Sequence, residues 1–113
     1  MAETEQTEVE QKPKRGGRKP DPMTRILGDV RAAAQHLGDY STKPVPEERA
    51  RSHDGRAAAW GRQYAKDGAI DSLVLSLTFE ALASLNPAEE RYALSQLTAV
   101  ALARIEQIDE AGK

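Results

Sequence analysis

The sequence predicts an all-α protein: a small bundle of about four helices with a long antiparallel C-terminal pair, behind a disordered N-terminal tail. Three observations predict it. Apolar residues recur at three and four positions almost throughout Pro22 to Glu110, the period of a helix face. Two Asx-Pro pairs, Asp21-Pro22 and Asn86-Pro87, stand where a helix needs a cap followed by proline at its first position. Alternating apolar and polar runs, the signature of strands, are nearly absent.

The first 20 residues form a separate unit. Their large apolar residues are Met1 and Val9, too few to offset the entropy of ordering a chain. Residues 21–113 then form a single helical domain. A unit of that size has a modest core and commonly gains stability by associating with itself.

Helix one follows from the cap at Asp21, the apolar series Ile26, Leu27, Val30, Ala33, Ala34, Leu37, and a C-terminal Gly38. A proline-containing loop, Asp39 to Val45, leads to a second helical region that starts at Pro46-Glu47-Glu48. Ser52-His53-Asp54-Gly55 reads as a break or kink within it, and Arg56 to Ala65 resumes the helix until Asp67-Gly68 ends it. Ala69 to Leu85 is the most apolar segment. It carries one stripe at Ile70, Leu73, Val74, Leu77, Ala81 and Leu85 and another at Leu75, Phe79 and Leu82, which predicts a helix covered on both sides. Asn86-Pro87-Ala88-Glu89 comes close to a capping box and opens the last helix, which runs to about Glu110. Its seam is Leu94, Leu97, Ala101, Ile105 and Ile108. A homodimer or larger assembly is expected through the last two helices, with Leu73, Leu77, Leu94, Leu97, Ala101 and Ile105 at the interface.

Charge is strongly segregated. The chain carries 16 Lys and Arg against 18 Asp and Glu, a formal net charge of -2. Glu3, Glu5, Glu8 and Glu10 make the first eleven residues acidic, residues 12–66 are strongly basic, and residues 67–113 are acidic again. The N-terminus has no apolar run and no signal-peptide pattern, and no apolar segment is long enough to span a membrane, so a cytoplasmic protein is expected. There is no cysteine, hence no disulfide framework and no thiolate metal site.

The basic stretch is concentrated in KPKRGGRKPDP, Lys12 to Pro22. Arginines flanking glycine can lie along the narrow, negative minor groove of A/T-rich DNA, because glycine lets the backbone approach the groove floor. Arg15-Gly16-Gly17-Arg18-Lys19-Pro20 resembles an AT-hook, with two glycines between its arginines. This makes Lys12, Lys14, Arg15, Arg18, Lys19 and Arg25 the candidate nucleic-acid-binding residues, with Arg31, Arg49, Arg51, Arg56 and Arg62 extending the basic surface to phosphates. The alternative is a solvated tail that binds nothing specific.

Trp60-Gly61-Arg62-Gln63, Asp67-Gly68, Leu75-Ser76-Leu77-Thr78-Phe79-Glu80-Ala81-Leu82, and the runs Arg91 to Ala101 and Ile105 to Asp109 resemble the MazG-like nucleotide pyrophosphohydrolases. The resemblance covers under half of the chain. It implies an all-α oligomer in which magnesium, held by a Glu-x-x-Glu pair on one helix and carboxylates on the next, helps cleave nucleoside triphosphates. Glu80 stands at the second glutamate of that pair, but Leu77 stands at the first, Ala93 at the next helix's carboxylate, and Gln96 offers a neutral amide. Magnesium prefers several hard oxygen ligands. The resemblance therefore implies a scaffold with one weak metal candidate, Glu80, and Mg as a cofactor only under this reading. Glu106-Gln107-Ile108-Asp109 has a Glu-x-x-Asp spacing at the end of the last helix, where a solvated terminus is the simpler account.

His36 and His53 have no second ligand at metal spacing, and His53 beside Asp54 reads as a polar loop pair before it reads as a catalytic base. Ser72, Ser76, Ser84 and Ser95 lack a nucleophile-elbow pattern. Trp60 and Tyr64, four apart, serve to cap the core or to stack on bases. Three functions remain open: a non-enzymatic DNA-binding protein in which a helical oligomerisation domain carries a basic arm, a MazG-like hydrolase whether active or degenerate, and a small protein–protein adaptor.

Overall fold

The computed structural model describes residues 21–38 and 41–113. The proposed tail and its cations Lys12, Lys14, Arg15, Arg18 and Lys19 lie outside the described residues. The fold is all-α, with four helices and no strand among the described residues: α1 (Pro22–Leu37), α2 (Glu47–Asp67), α3 (Ile70–Leu82) and α4 (Pro87–Ala111).

Capping explains the ends of these helices. The Asp21 carboxylate accepts from the Met23 and Thr24 backbone N–H groups and from the Thr24 hydroxyl, so α1 begins where the Asx-Pro pair predicts. Gly38 ends it at φ 67°. Gly68 ends α2 in the left-handed conformation, φ 63° and ψ 17°, with its N–H donating to the Tyr64 carbonyl at 2.8 Å. At α4 the Asn86 side chain accepts from the Glu89 N–H at 2.9 Å, and a Glu89 carboxylate oxygen accepts from the Leu85 N–H at 3.1 Å. This is a capping box displaced by one residue.

Two boundaries differ from the sequence expectation. The predicted break at Ser52–Gly55 does not occur: α2 runs unbroken from Glu47 to Asp67. His53 stacks on Phe79 of α3, ring centroids 5.4 Å apart and planes 25° apart, and the Arg56 guanidinium lies 5.8 Å from the centre of the same ring. These contacts hold both sides of Gly55 in helical register and outweigh its propensity cost of about 1 kcal/mol. The third helix stops at Leu82 rather than Leu85. Residues 83–86 are consumed by the turn into α4, where the cap at Asn86 and the ring of Pro87 demand extended backbone.

α3 is the middle helix. It packs against α2 and α4, which do not pack on each other, and α1 docks on α4. The α2–α3 pair is antiparallel: His53 meets Phe79, while the Ser76 hydroxyl donates to the Ala57 carbonyl at 3.4 Å. A Cβ at Gly61 would stand 3.4 Å from the Ser76 hydroxyl, so the helices come close there. The α3–α4 hairpin buries Ala81 and Ala93, six residues on either side of Pro87, and small side chains at such positions let the axes approach. Ile26 is the residue by which α1 is anchored, 1 % exposed. α3 thus has a neighbour on two sides, but its stripes are covered only in part: Leu73, Val74, Leu75, Leu77 and Phe79 are half-buried and Ala81 buried, while Ile70, Leu82 and Leu85 stay exposed, at the helix ends and in the turn beyond. Burial elsewhere is sparse: Leu27, Val30 and Leu37 on α1, and Leu94, Ile105 and Ile108 on α4, stay substantially exposed.

Candidate functional site

Because α2 and α4 do not touch, a cleft of about 1290 Å³ opens between them over α3. Glu47, Arg51 and Asp54 line it from α2, Leu77 and Glu80 from α3, and Glu89, Tyr92, Ala93 and Gln96 from α4. Glu47 and Arg51 form an exposed i,i+4 ion pair at 3.5 Å. One arginine against Glu47, Asp54, Glu80 and Glu89 leaves the cleft acidic, so it repels phosphate rather than attracting it.

The cleft collects residues that the MazG-like resemblance singles out from separate helices: Leu77, Glu80, Ala93 and Gln96 all line it. Glu106 and Asp109 do not. Among the described residues, no group of three or more His, Asp or Glu side chains is arranged to hold a metal ion. The apolar Leu77 and the methyl of Ala93 occupy positions where oxygen ligands would be required, so the residues present do not fit a magnesium site.

A second surface lies on the other side of α2. At 100° per residue, Arg49 and Arg56 fall on one flank, roughly opposite Glu47 and Asp54. Both are exposed. Arg56 is held in place: its guanidinium donates to His53 Nδ1 at 3.2 Å while lying near the Phe79 face. Arg25 and Arg31 on α1 are exposed too, Arg25 directly beside the buried Ile26.

The other candidates have structural roles. His53 is a helical residue packed on Phe79, not a loop partner of Asp54. Ser76, Ser84 and Ser95 donate to the backbone carbonyls of Ala57, Glu80 and Arg91. Ser72 is completely buried and donates to Asp67 at 3.2 Å. Asp67 also accepts from Gln63 and from the Ala69 N–H, each at 2.9 Å. The Gln63 bond, then the Ala69 and Ser72 bonds, hold its carboxyl below the ordinary range. This cluster joins α2 to α3. Trp60 is half-buried, and Tyr64 is more open.

Of the expected interface residues, Leu73 and Leu77 are half-buried on the central helix, and Leu97 is half-buried on α4. Leu94, Ala101 and Ile105 are exposed along α4. The α2 flank is the feature the sequence conceals, because Arg49 and Arg56 belong together only once the helix is known to run unbroken between them.

No helix among the described residues is long and apolar enough to cross a membrane. Compared with protein-family models, with curated proteins and with solved structures, the chain matches none of them.

Proposed function

We propose that this chain is a non-enzymatic DNA-binding protein, a self-associating helical scaffold that presents cations to the phosphate backbone. The observation that carries this reading is the division of charge across α2: Arg49 and Arg56 on one flank, the acidic cleft on the other. A duplex meets the basic flank and is turned away from the cleft. The AT-hook-like arm, with Lys12, Lys14, Arg15, Arg18 and Lys19, supplies the groove contact, and Arg25 lies a short way along the chain at the start of α1. Self-association multiplies weak arms into avidity without new contacts. The apolar side chains left open on α1 and α4 supply the surface for it.

The test is duplex binding across a salt series, comparing the full chain, the chain lacking residues 1–20, and Arg49→Ala/Arg56→Ala. Removing one cation that neutralises a phosphate lowers the salt slope by about 0.9. The double variant is expected to flatten the slope by about twice that amount, and the truncation to abolish A/T preference. Equal, salt-insensitive binding by all three proteins refutes the reading.

The convergence of Leu77, Glu80, Ala93 and Gln96 on one cleft favours a second reading, a MazG-like pyrophosphohydrolase, active or degenerate. Magnesium-dependent pyrophosphate release from a nucleoside triphosphate, abolished in Glu80→Gln, is the result that selects it over the first.

A further inference from the structure

α4 carries an apolar row whose spacing reads the same in both directions. Leu94, Leu97, Ala101, Ile105 and Ile108 stand at offsets of seven and four residues on each side of Ala101. At 100° per residue all five fall within an arc of about 80°. With α1 already docked on α4, Leu94 is still 44 % exposed, Ile105 36 % and Ile108 53 %. The row is continuous along the helix, and the described residues leave these three positions open to a partner.

We infer that this row pairs with the same row of a second copy, antiparallel, about a two-fold axis at Ala101; this rests on the self-association reading above. Reversing one helix about Ala101 sets Leu94 against Ile108, Leu97 against Ile105, and Ala101 against itself. The largest side chains then meet at the two ends and the smallest at the crossing, where helix axes come closest. A two-fold axis is also what makes one patch complementary to itself.

Charge selects this direction independently. Arg91 and Asp109 are 18 residues apart, five full turns, so they share one flank of the row, and their midpoint lies one residue from Ala101. In an antiparallel pair related by a two-fold axis across the helices, like flanks face each other. Arg91 of one copy then stands opposite Asp109 of the other, and symmetry repeats the pair. In a parallel pair that flank faces the opposite one, and residues of equal number come level. Arg91 of one copy and Asp109 of the other are then about 27 Å apart along the axis, and the ion pair is lost.

The chain contains no cysteine, so single cysteines placed along this row report unambiguously. The experiment is light scattering of the full chain, then cross-linking of Leu94→Cys, Ala101→Cys and Ile108→Cys with a short bismaleimide. Circular dichroism shows whether each variant keeps its helicity. The expected result is a dimer in which Ala101→Cys links to itself, Leu94→Cys alone does not, and a mixture of Leu94→Cys with size-tagged Ile108→Cys gives the mixed product. Leu94 sites in the antiparallel pair are about 21 Å apart. Arg91→Glu is expected to weaken the dimer about tenfold, and Asp109→Arg on the same chain to restore it. A dimer that links Leu94→Cys to itself overturns the pairing and leaves self-association standing, as does a dimer that gives no mixed product. A chain that stays monomeric at every concentration overturns both.

Discussion

His53 of α2 stacks on Phe79 of α3 with ring centroids 5.4 Å apart, and this contact lies at the segment whose sequence reads as a helix break. The contact joins local conformation to tertiary packing: Phe79 supplies a flat apolar face, and α2 must remain helical through Gly55 for both His53 and Arg56 to reach it. Phe79→Ala is therefore expected to destabilise the fold by about 2–3 kcal/mol, below the range for a fully buried phenylalanine because Phe79 is half-buried. His53→Ala is expected to cost about 1 kcal/mol, the scale of an aromatic pair. Urea unfolding followed by circular dichroism measures both. Equally small effects for the two variants would show that Phe79 contributes little beyond this stack.

Two glycines of the α2 region should respond to alanine in opposite directions. Gly55 is helical, and a Cβ added there would meet nothing within 4 Å, so Gly55→Ala is expected to raise stability by about 0.5–1 kcal/mol. Gly68 is held at φ 63°, where a Cβ meets the following carbonyl, so Gly68→Ala is expected to lower stability by about 1 kcal/mol. The pair is read in parallel denaturant melts. A destabilised Gly55→Ala would mean that the α2 helix is interrupted there after all.

Asp67 and Asp21 make stability depend on acid. The Gln63, Ala69 and Ser72 hydrogen bonds hold the Asp67 carboxyl below the ordinary range, and those from Thr24 and Met23 do the same for Asp21. A folded-state value below the unfolded one means that the native form binds fewer protons, so this stabilisation is complete above the unfolded value, about 3.9. It disappears as pH falls through the lower folded values. The thermal midpoint is expected to drop below about pH 4. Asp67→Asn combined with Asp21→Asn should flatten that drop, and an unchanged acid profile in the double variant would remove these two groups as its cause.

The start of α4 depends on one amide. Asn86 accepts from the Glu89 N–H, and Glu89 in turn accepts from the Leu85 N–H. Asn86→Ala is expected to cost about 1 kcal/mol, while Asn86→Asp, which keeps the acceptor, should cost little. Chemical denaturation of the two variants distinguishes removal of the cap from a change in local packing.

Local chemistry determined much of this protein. The four helices, the caps at Asp21 and Asn86, and the terminators Gly38 and Gly68 all follow from residues within a few positions of one another, because caps, glycine conformations and helical periodicity act over that range. The symmetry of the α4 row about Ala101 is also written in the spacing of the chain alone. Tertiary structure decided what depends on distant partners. It kept α2 continuous, since His53 and Arg56 meet Phe79 only when α3 folds back beside them. It also brought Leu77, Glu80, Ala93 and Gln96 to one cleft and set Arg49 and Arg56 on the opposite flank. A sequence holds the charges, but only packing separates the faces that carry them, because which side of a helix is left to solvent is settled by the helices beside it.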